Sequence, residues 1–223
     1  MLLLCAGLLS SCVTEQAWIQ NDQKIGTIQT EKRPWGTESS YRDLSGRLVR
    51  IQRHNRDGQL LAGVCTIQYS YDLHGLLTAE QDFNSENHLT RNEEGFAACT
   101  YAWSADPEGD RVVTQSFYDE NNQPVLTTSG FAILKRTETF DDQTKRIQFY
   151  GLTGAPAPST WLGVSGVVDV QYSVLQGVTP VLCVALLDAS GNVIDRRQLS
   201  GETSAAGGVV YTTYYYAPSG YHR

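Results

Sequence analysis

A chain of 223 residues with 41% hydrophobic and 10% aromatic residues has enough apolar surface for one large core or two small ones, which excludes general disorder. Its net charge of -7 and pI near 5.0 argue against a nucleic-acid partner, because phosphate neutralisation needs clustered Lys and Arg. The dense basic stretches, Arg50 to Arg56 and Arg196-Arg197, are short and read as solvated strand faces and turns.

Met1 to Ser11, MLLLCAGLLSS, is too short for a membrane-spanning helix, which needs roughly 20 apolar residues, and suits the apolar region of a secretion signal. The stretch that closes it, Leu9-Ser10-Ser11-Cys12, resembles the lipobox of bacterial lipoproteins. That resemblance implies cleavage before Cys12, acylation of Cys12, and a lipid-anchored protein of the bacterial cell envelope that faces outside the cytoplasm. Leu rather than Lys or Arg follows Met1, a departure that a start upstream would explain. The competing reading, an apolar N-terminus of a cytoplasmic protein, leaves Leu2, Leu3, Leu4, Leu8 and Leu9 exposed without a reason. Residues 12–40 are read as a tether and polar lead-in containing Pro34.

With Cys5 removed and Cys12 acylated, Cys65, Cys99 and Cys183 remain, enough for one disulfide at most. Neither a CxxC pair nor a Cys/His cluster is present, which argues against structural zinc and leaves no metal site to assign.

From Tyr41 the chain repeats itself. YRDLSGRLVRIQRHNRDGQL at Tyr41, YDLHGLLTAEQDFNSENHL at Tyr71, ADPEGDRVVTQSFYDENNQP at Ala105 and FDDQTKRIQFYGLTGAP at Phe140 are copies anchored on Asp43, Asp72, Asp106 and Asp141, spaced 29, 34 and 35 residues apart. Each of the first three opens on D-x-x-G, where Asp bonds the following backbone and Gly takes positive φ. A second, looser turn follows His54, Phe83 and Phe117, placed in one column: Asn55 to Gly58, Asn84 to Asn87, and Tyr118 to Pro124. Between turns the period is two, as in Cys65, Ile67, Tyr69 and Tyr71, then Cys99, Tyr101, Trp103 and Ala105, then Leu134, Arg136, Glu138 and Phe140. Counting from the aspartates puts Cys65, Cys99 and Leu134 in one column as small core residues, and a Cys65–Cys99 bridge stays open. These features predict an all-β protein: antiparallel β-hairpin repeats in an extended or curled sheet, with little helix beyond the signal segment.

Tyr41-x-Asp43-x-x-Gly46-x-Leu48, Tyr71-Asp72-x-x-Gly75-x-Leu77 and Phe117-Tyr118-Asp119-x-x-Asn122-x-Pro124 resemble the YD repeats of bacterial RHS-type proteins. The resemblance spans about Tyr41 to Pro156 and weakens in the fourth copy, where Thr144 stands in place of Gly. It implies an extracellular or secreted β-hairpin scaffold and brings no catalytic residues with it.

The expected organisation is therefore a signal segment at 1–11, the lead-in at 12–40, the repeat region at 41–156 and a β-rich continuation or cap at 157–223. A Pro/Ser-rich joint, APAPST from Ala155, precedes strands expected over Gly166 to Val174 and Val181 to Leu187, and Asp188-x-x-Gly191 offers a further turn. That turn has oxygen donors, but its Gly comes too early for an EF-hand and no Glu closes it. His54 reads as a packed ring, while His74, His88 and His222 lie in turns or the tail. Neither G-x-S-x-G nor a phosphate-binding glycine loop is present, and no cofactor is implied.

Aromatic residues are the best functional hint. Trp161, Tyr214, Tyr215 and Tyr216 form the candidate binding surface, since adjacent tyrosines cannot all share one face of a strand. The leading reading is a non-enzymatic envelope protein, bound to the membrane through Cys12, whose sheet binds a protein or glycan. One alternative is a cell-wall glycan enzyme or subunit using Glu80 with Asp82, or Asp119 with Glu120. Another is a scaffold fragment of a larger RHS-like protein.

Overall fold

The computed structural model describes residues 25–139, 144–175, 181–203 and 209–216. Cys12 and Asp141 lie outside them. The described residues are all-β, and the chain divides after Asn92 into two compact units.

In the first unit, β1 (Ile25–Arg33), β2 (Gly36–Asp43), β3 (Leu48–Asn55), β4 (Thr66–Tyr71) and β5 (Leu77–Phe83) form an antiparallel meander in chain order. Residues expected to serve as a lead-in thus form a hairpin, with Arg33 facing Gly36 across a tight turn at Pro34-Trp35. In the second unit, β6 (Ala98–Ala105), β7 (Arg111–Tyr118), β8 (Ile133–Glu138) and β9 (Thr144–Tyr150) continue the pattern. Beyond a small hairpin of β10 (Ser159–Trp161) and β11 (Val164–Val167), β12 (Asp169–Leu175) pairs with β9 through Val170 and Ile147. The antiparallel sheet then runs on through β13 (Val181–Leu187), β14 (Val193–Thr203) and β15 (Val209–Tyr216).

Local chemistry fixes the turns. Asp43 Oδ1 accepts the backbone N–H groups of Ser45 and Arg47, Gly46 N–H donates to the Asp43 carbonyl, and Asp43 N–H donates to that of Arg47. The same four bonds recur at Asn55, Asp72, Asn84, Asp106, Asp119 and Asp188, so Asp and Asn serve alike because the turn needs only the carbonyl-type oxygen. The fourth residue takes positive φ. Gly75 fills it at 83° and Gly109 at 89°, whereas Asn87 and Asn122 hold it at 62° and 58° with a Cβ present. Asn122→Gly is expected to raise the unfolding free energy by about 0.5 kcal/mol, read as a higher urea midpoint at unchanged slope; Asn122→Ala should lower it.

Two of the expected columns shift. The bridging partner before the second turn is His54, Phe83, Tyr118 and Tyr150, so Phe117 stands one residue earlier than expected. Twelve residues separate Asp43 from Asn55 and Asp72 from Asn84, but thirteen separate Asp106 from Asp119, and the extra residue between the turns moves the register by one. Cys65 N–H donates to Phe83 O, Ala97 N–H to Tyr118 O and Ala132 N–H to Tyr150 O, so Cys65 is equivalent to Ala97 and Cys99 lies two residues further along. Both cysteines are buried, and no disulfide joins any two of Cys65, Cys99 and Cys183.

After each second turn the chain leaves the sheet and returns. Leu61, Thr90, Val125 and Ala157 donate to the carbonyls of Arg53, Asp82, Phe117 and Phe149, and the departing segments run to Cys65, Ala97, Ala132 and Val168. In the second unit these excursions join one another, through Thr128 N–H to Glu94 O at 2.8 Å and Thr160 N–H to Ser129 O at 3.2 Å. They supply a covering layer over the sheet face. Phe96 and Phe131 come from excursions, Phe117 and Phe149 from the sheet, and they alternate with centroid separations of 4.9, 5.6 and 4.9 Å before Trp161 closes the row at 5.3 Å from Phe149. Phe117 and Phe149 sit two strands apart, a span of about 9.6 Å, so one excursion ring fits between them over β8. Leu134, Ile147, Val167, Val170, Val184 and Leu186 complete this core.

Candidate functional site

The first unit starts the same arrangement with different residues. Arg53 and Asp82 stand where Phe117 and Phe149 stand in the second unit, as the shared carbonyl bonds show. Trp35 precedes Gly36, which pairs with Asn55, just as Phe96 precedes the Ala97–Ala98 segment that meets Tyr118, so Trp35 takes the excursion ring's position at the head of the first unit. The first excursion contributes Val64, smaller than a ring. Charge and small side chains in place of phenylalanines leave an open depression of about 440 Å³ lined by Arg33, Trp35, Glu38, Arg53, Leu61 and Val64.

Its polar wall is tightly organised. Glu38 accepts Arg33 Nη2 on Oε1 and Arg53 Nε on Oε2, both at 2.9 Å, and Arg33 also meets Glu31 at 2.9 Å. Burial acts to raise the Glu38 carboxyl, but the bonds and charges of Arg53 and Arg33 outweigh it and hold its pKa below the ordinary value. Leu61 and Val64 give an apolar side, and Trp35, a residue 37% exposed, gives a flat one. Arg56 bonds Pro34 O through Nη2 at 2.7 Å and Nε at 3.2 Å, tying the hairpin tip that carries Trp35 to the neighbouring turn. The arrangement offers ring stacking beside a fixed carboxylate and two guanidinium edges.

The candidates read from the sequence lie outside this depression. Trp161 is half-buried and packs on Phe149 at the end of the aromatic row, with Arg197 Nη2 bonding the adjacent Leu162 O at 2.6 Å. Tyr214, Tyr215 and Tyr216 lie on β15 opposite Gln198, Arg197 and Arg196, and their side chains fall outside the description. Among the carboxylate candidates, Asp82 is 1% exposed and accepts Asn92 Nδ2 at 2.8 Å, while Glu80 sits opposite Tyr69. Burial raises the Tyr69 hydroxyl pKa, and the charges of Glu80 and Asp82 add to the shift. Asp119 Oδ1 is committed to the turn that Glu120 belongs to. Asp188 holds its own turn, and the bonds from Asn192 keep its pKa low.

Asp106, Glu108 and Asp110 gather their carboxylates within 4.8 Å, but Lys145 already bonds Glu108 and Asp110, and those bonds raise its pKa. Asp106 Oδ1 is taken by its turn. The cluster is a closed ion-pair network.

Sequence reasoning passed over Arg33, Trp35, Glu38 and Arg53. The available signal was Arg33-Pro34-Trp35-Gly36, a turn between two polar stretches of strand length.

These features define the class as an all-β hairpin-repeat protein with an open, aromatic-floored depression in its first unit. No protein-family model matches the chain, and no curated protein matches it.

Proposed function

We propose that the protein is a non-enzymatic binding scaffold of the bacterial cell envelope, held to a membrane by acylated Cys12 and engaging a glycan or protein partner through its first unit. The depression around Trp35 carries this reading: it presents an exposed indole and a pinned carboxylate, a combination suited to gripping a polar ring or side chain. The lipobox-like Leu9-Ser10-Ser11-Cys12 and the resemblance to YD repeats support the location. Of the carboxylate pairs that could serve glycan hydrolysis, Asp82 accepts from Asn92 and Asp119 holds its turn, which favours binding over catalysis.

Detergent-phase partitioning and cosedimentation with purified envelope glycan test the two parts. The full-length protein should enter the detergent phase and lose that behaviour in Cys12→Ala. It should sediment with envelope material, and Trp35→Ala should remove most of the bound fraction. Aqueous partitioning unaffected by Cys12→Ala would refute the anchor, and sedimentation unchanged by Trp35→Ala would refute the binding site.

A further inference from the structure

The donors of the depression narrow its ligand, an inference that rests on the binding reading above. Arg33 and Arg53 are the cations of its lining and Glu38 its acid, while Glu31, outside the lining, also pairs with Arg33 Nη2, so the outward N–H groups rather than a net charge mark the site. Glu38 uses one nitrogen of each guanidinium, Nη2 of Arg33 and Nε of Arg53, both at 2.9 Å. The terminal nitrogens of Arg53 have no acceptor among the described residues, and its side chain is 31% exposed. A guanidinium pinned by one edge keeps the other edge oriented toward an incoming acceptor, and the planar fork matches a carboxylate. Beside it, Trp35 offers a ring-sized flat face and Leu61 and Val64 an apolar flank.

We propose that this depression is a subsite for an acidic pyranose, a hexuronic acid unit of a glycan, with the apolar face of the sugar on Trp35, its carboxylate on the free edges of Arg53 and Arg33, and a ring hydroxyl donating to Glu38. The site follows from the module pattern. Where the second unit closes with Phe117 and Phe131, the first has Arg53 and Val64, and a sugar ring occupies the space that a phenylalanine fills elsewhere. A neutral hexose could use Trp35 and Glu38 but would bring no carboxylate to the outward N–H groups of Arg53 and Arg33, which Glu38 and Glu31 hold from the other side.

Calorimetric titration of the full chain with a hexuronic acid trisaccharide and with its methyl ester isolates the carboxylate, since the two differ only in charge and ester group. The acid is expected to bind about tenfold more tightly than the ester, with added salt reducing the difference. Arg53→Gln should bring the ratio close to one. Arg33→Gln, on the exposed hairpin, should reduce it too and gives the same readout if Arg53→Gln unfolds the unit. Trp35→Ala should weaken acid and ester together by about tenfold, because stacking does not depend on charge. Equal affinity for acid and ester, an unchanged ratio in Arg33→Gln, or absence of heat with either sugar would overturn the acidic subsite. If the protein still sediments with envelope glycan while ignoring the trisaccharide, the scaffold reading stands and the ligand class falls; loss of both removes both.

Discussion

Phe149→Ala is expected to lower the unfolding free energy of the second unit by about 3 to 5 kcal/mol. Phe149 is 0% exposed and touches rings on both sides, Phe131 at 4.9 Å and Trp161 at 5.3 Å. Removing it deletes a buried aromatic surface and opens a cavity that two layers frame, because the sheet below is held by ladder bonds and the excursions above by their own hydrogen bonds. Neither layer can collapse far into the gap. Phe149→Leu should cost less, since much of the volume is kept. Urea titration followed by tryptophan fluorescence reads both, and Trp161, packed on the missing ring, should report the change directly. A loss below about 1 kcal/mol for Phe149→Ala would mean that the aromatic row is not the core of this unit.

Gly36→Ala is expected to destabilise the first unit by on the order of 3 kcal/mol, through strain rather than lost burial. A Cβ at Gly36 would lie 1.9 Å from the His54 carbonyl oxygen and 2.7 Å from the Asn55 carbonyl carbon, both rigid backbone atoms. The β2–β3 pairing at Gly36 and Asn55 must therefore open. Trp35 sits on the residue before, so the variant should also lose affinity for any ligand of the depression while the second unit stays folded. By contrast, Gly109 has open space around its Cβ position, so Gly109→Ala should cost only its positive φ, about 1 kcal/mol. Comparing the two variants by circular dichroism and urea titration separates close backbone approach from turn conformation. Similar costs for both would contradict the tight packing at Gly36.

The turns were the most legible part of the fold because their causes are local. Asp or Asn at the first position and Gly or Asn at the fourth dictate the bonds, so the positions of Asp43, Asn55, Asp72, Asn84, Asp106, Asp119 and Asp188 could be read directly. Strand Val181–Leu187 was equally clear from its apolar run. The excursions were not legible. Phe96 and Phe131 belong to no period-two stretch, and their role comes from contact with Phe117 and Phe149 on other strands. Counting from the aspartates also misaligned Cys65 with Cys99 and Phe117 with His54, since added strand residues change the register without changing the turn motif.

The candidate site was hidden for a related reason. β1 lies almost wholly exposed, so its sequence Ile25 to Arg33 lacks the alternation that marks a half-buried strand and resembles a polar linker. In the sequence Trp35 stands alone between polar stretches, whereas Tyr214, Tyr215 and Tyr216 are adjacent. Aromatic count favours packing as readily as binding in a β protein, and Trp161 is a packing residue here. What distinguishes Trp35 is its surroundings: Arg33 and Glu38 beside it, and Arg53 in place of a phenylalanine.

Fluorine NMR of the full chain labelled with 5-fluorotryptophan, recorded while envelope glycan is added, tests the central claim most directly because it asks each indole separately. With resonances assigned by single Trp→Phe substitutions, the Trp35 signal should shift or broaden with saturation while those of Trp103 and Trp161 stay in place. A response at Trp161 with Trp35 silent would contradict the account and move the binding surface to the second unit.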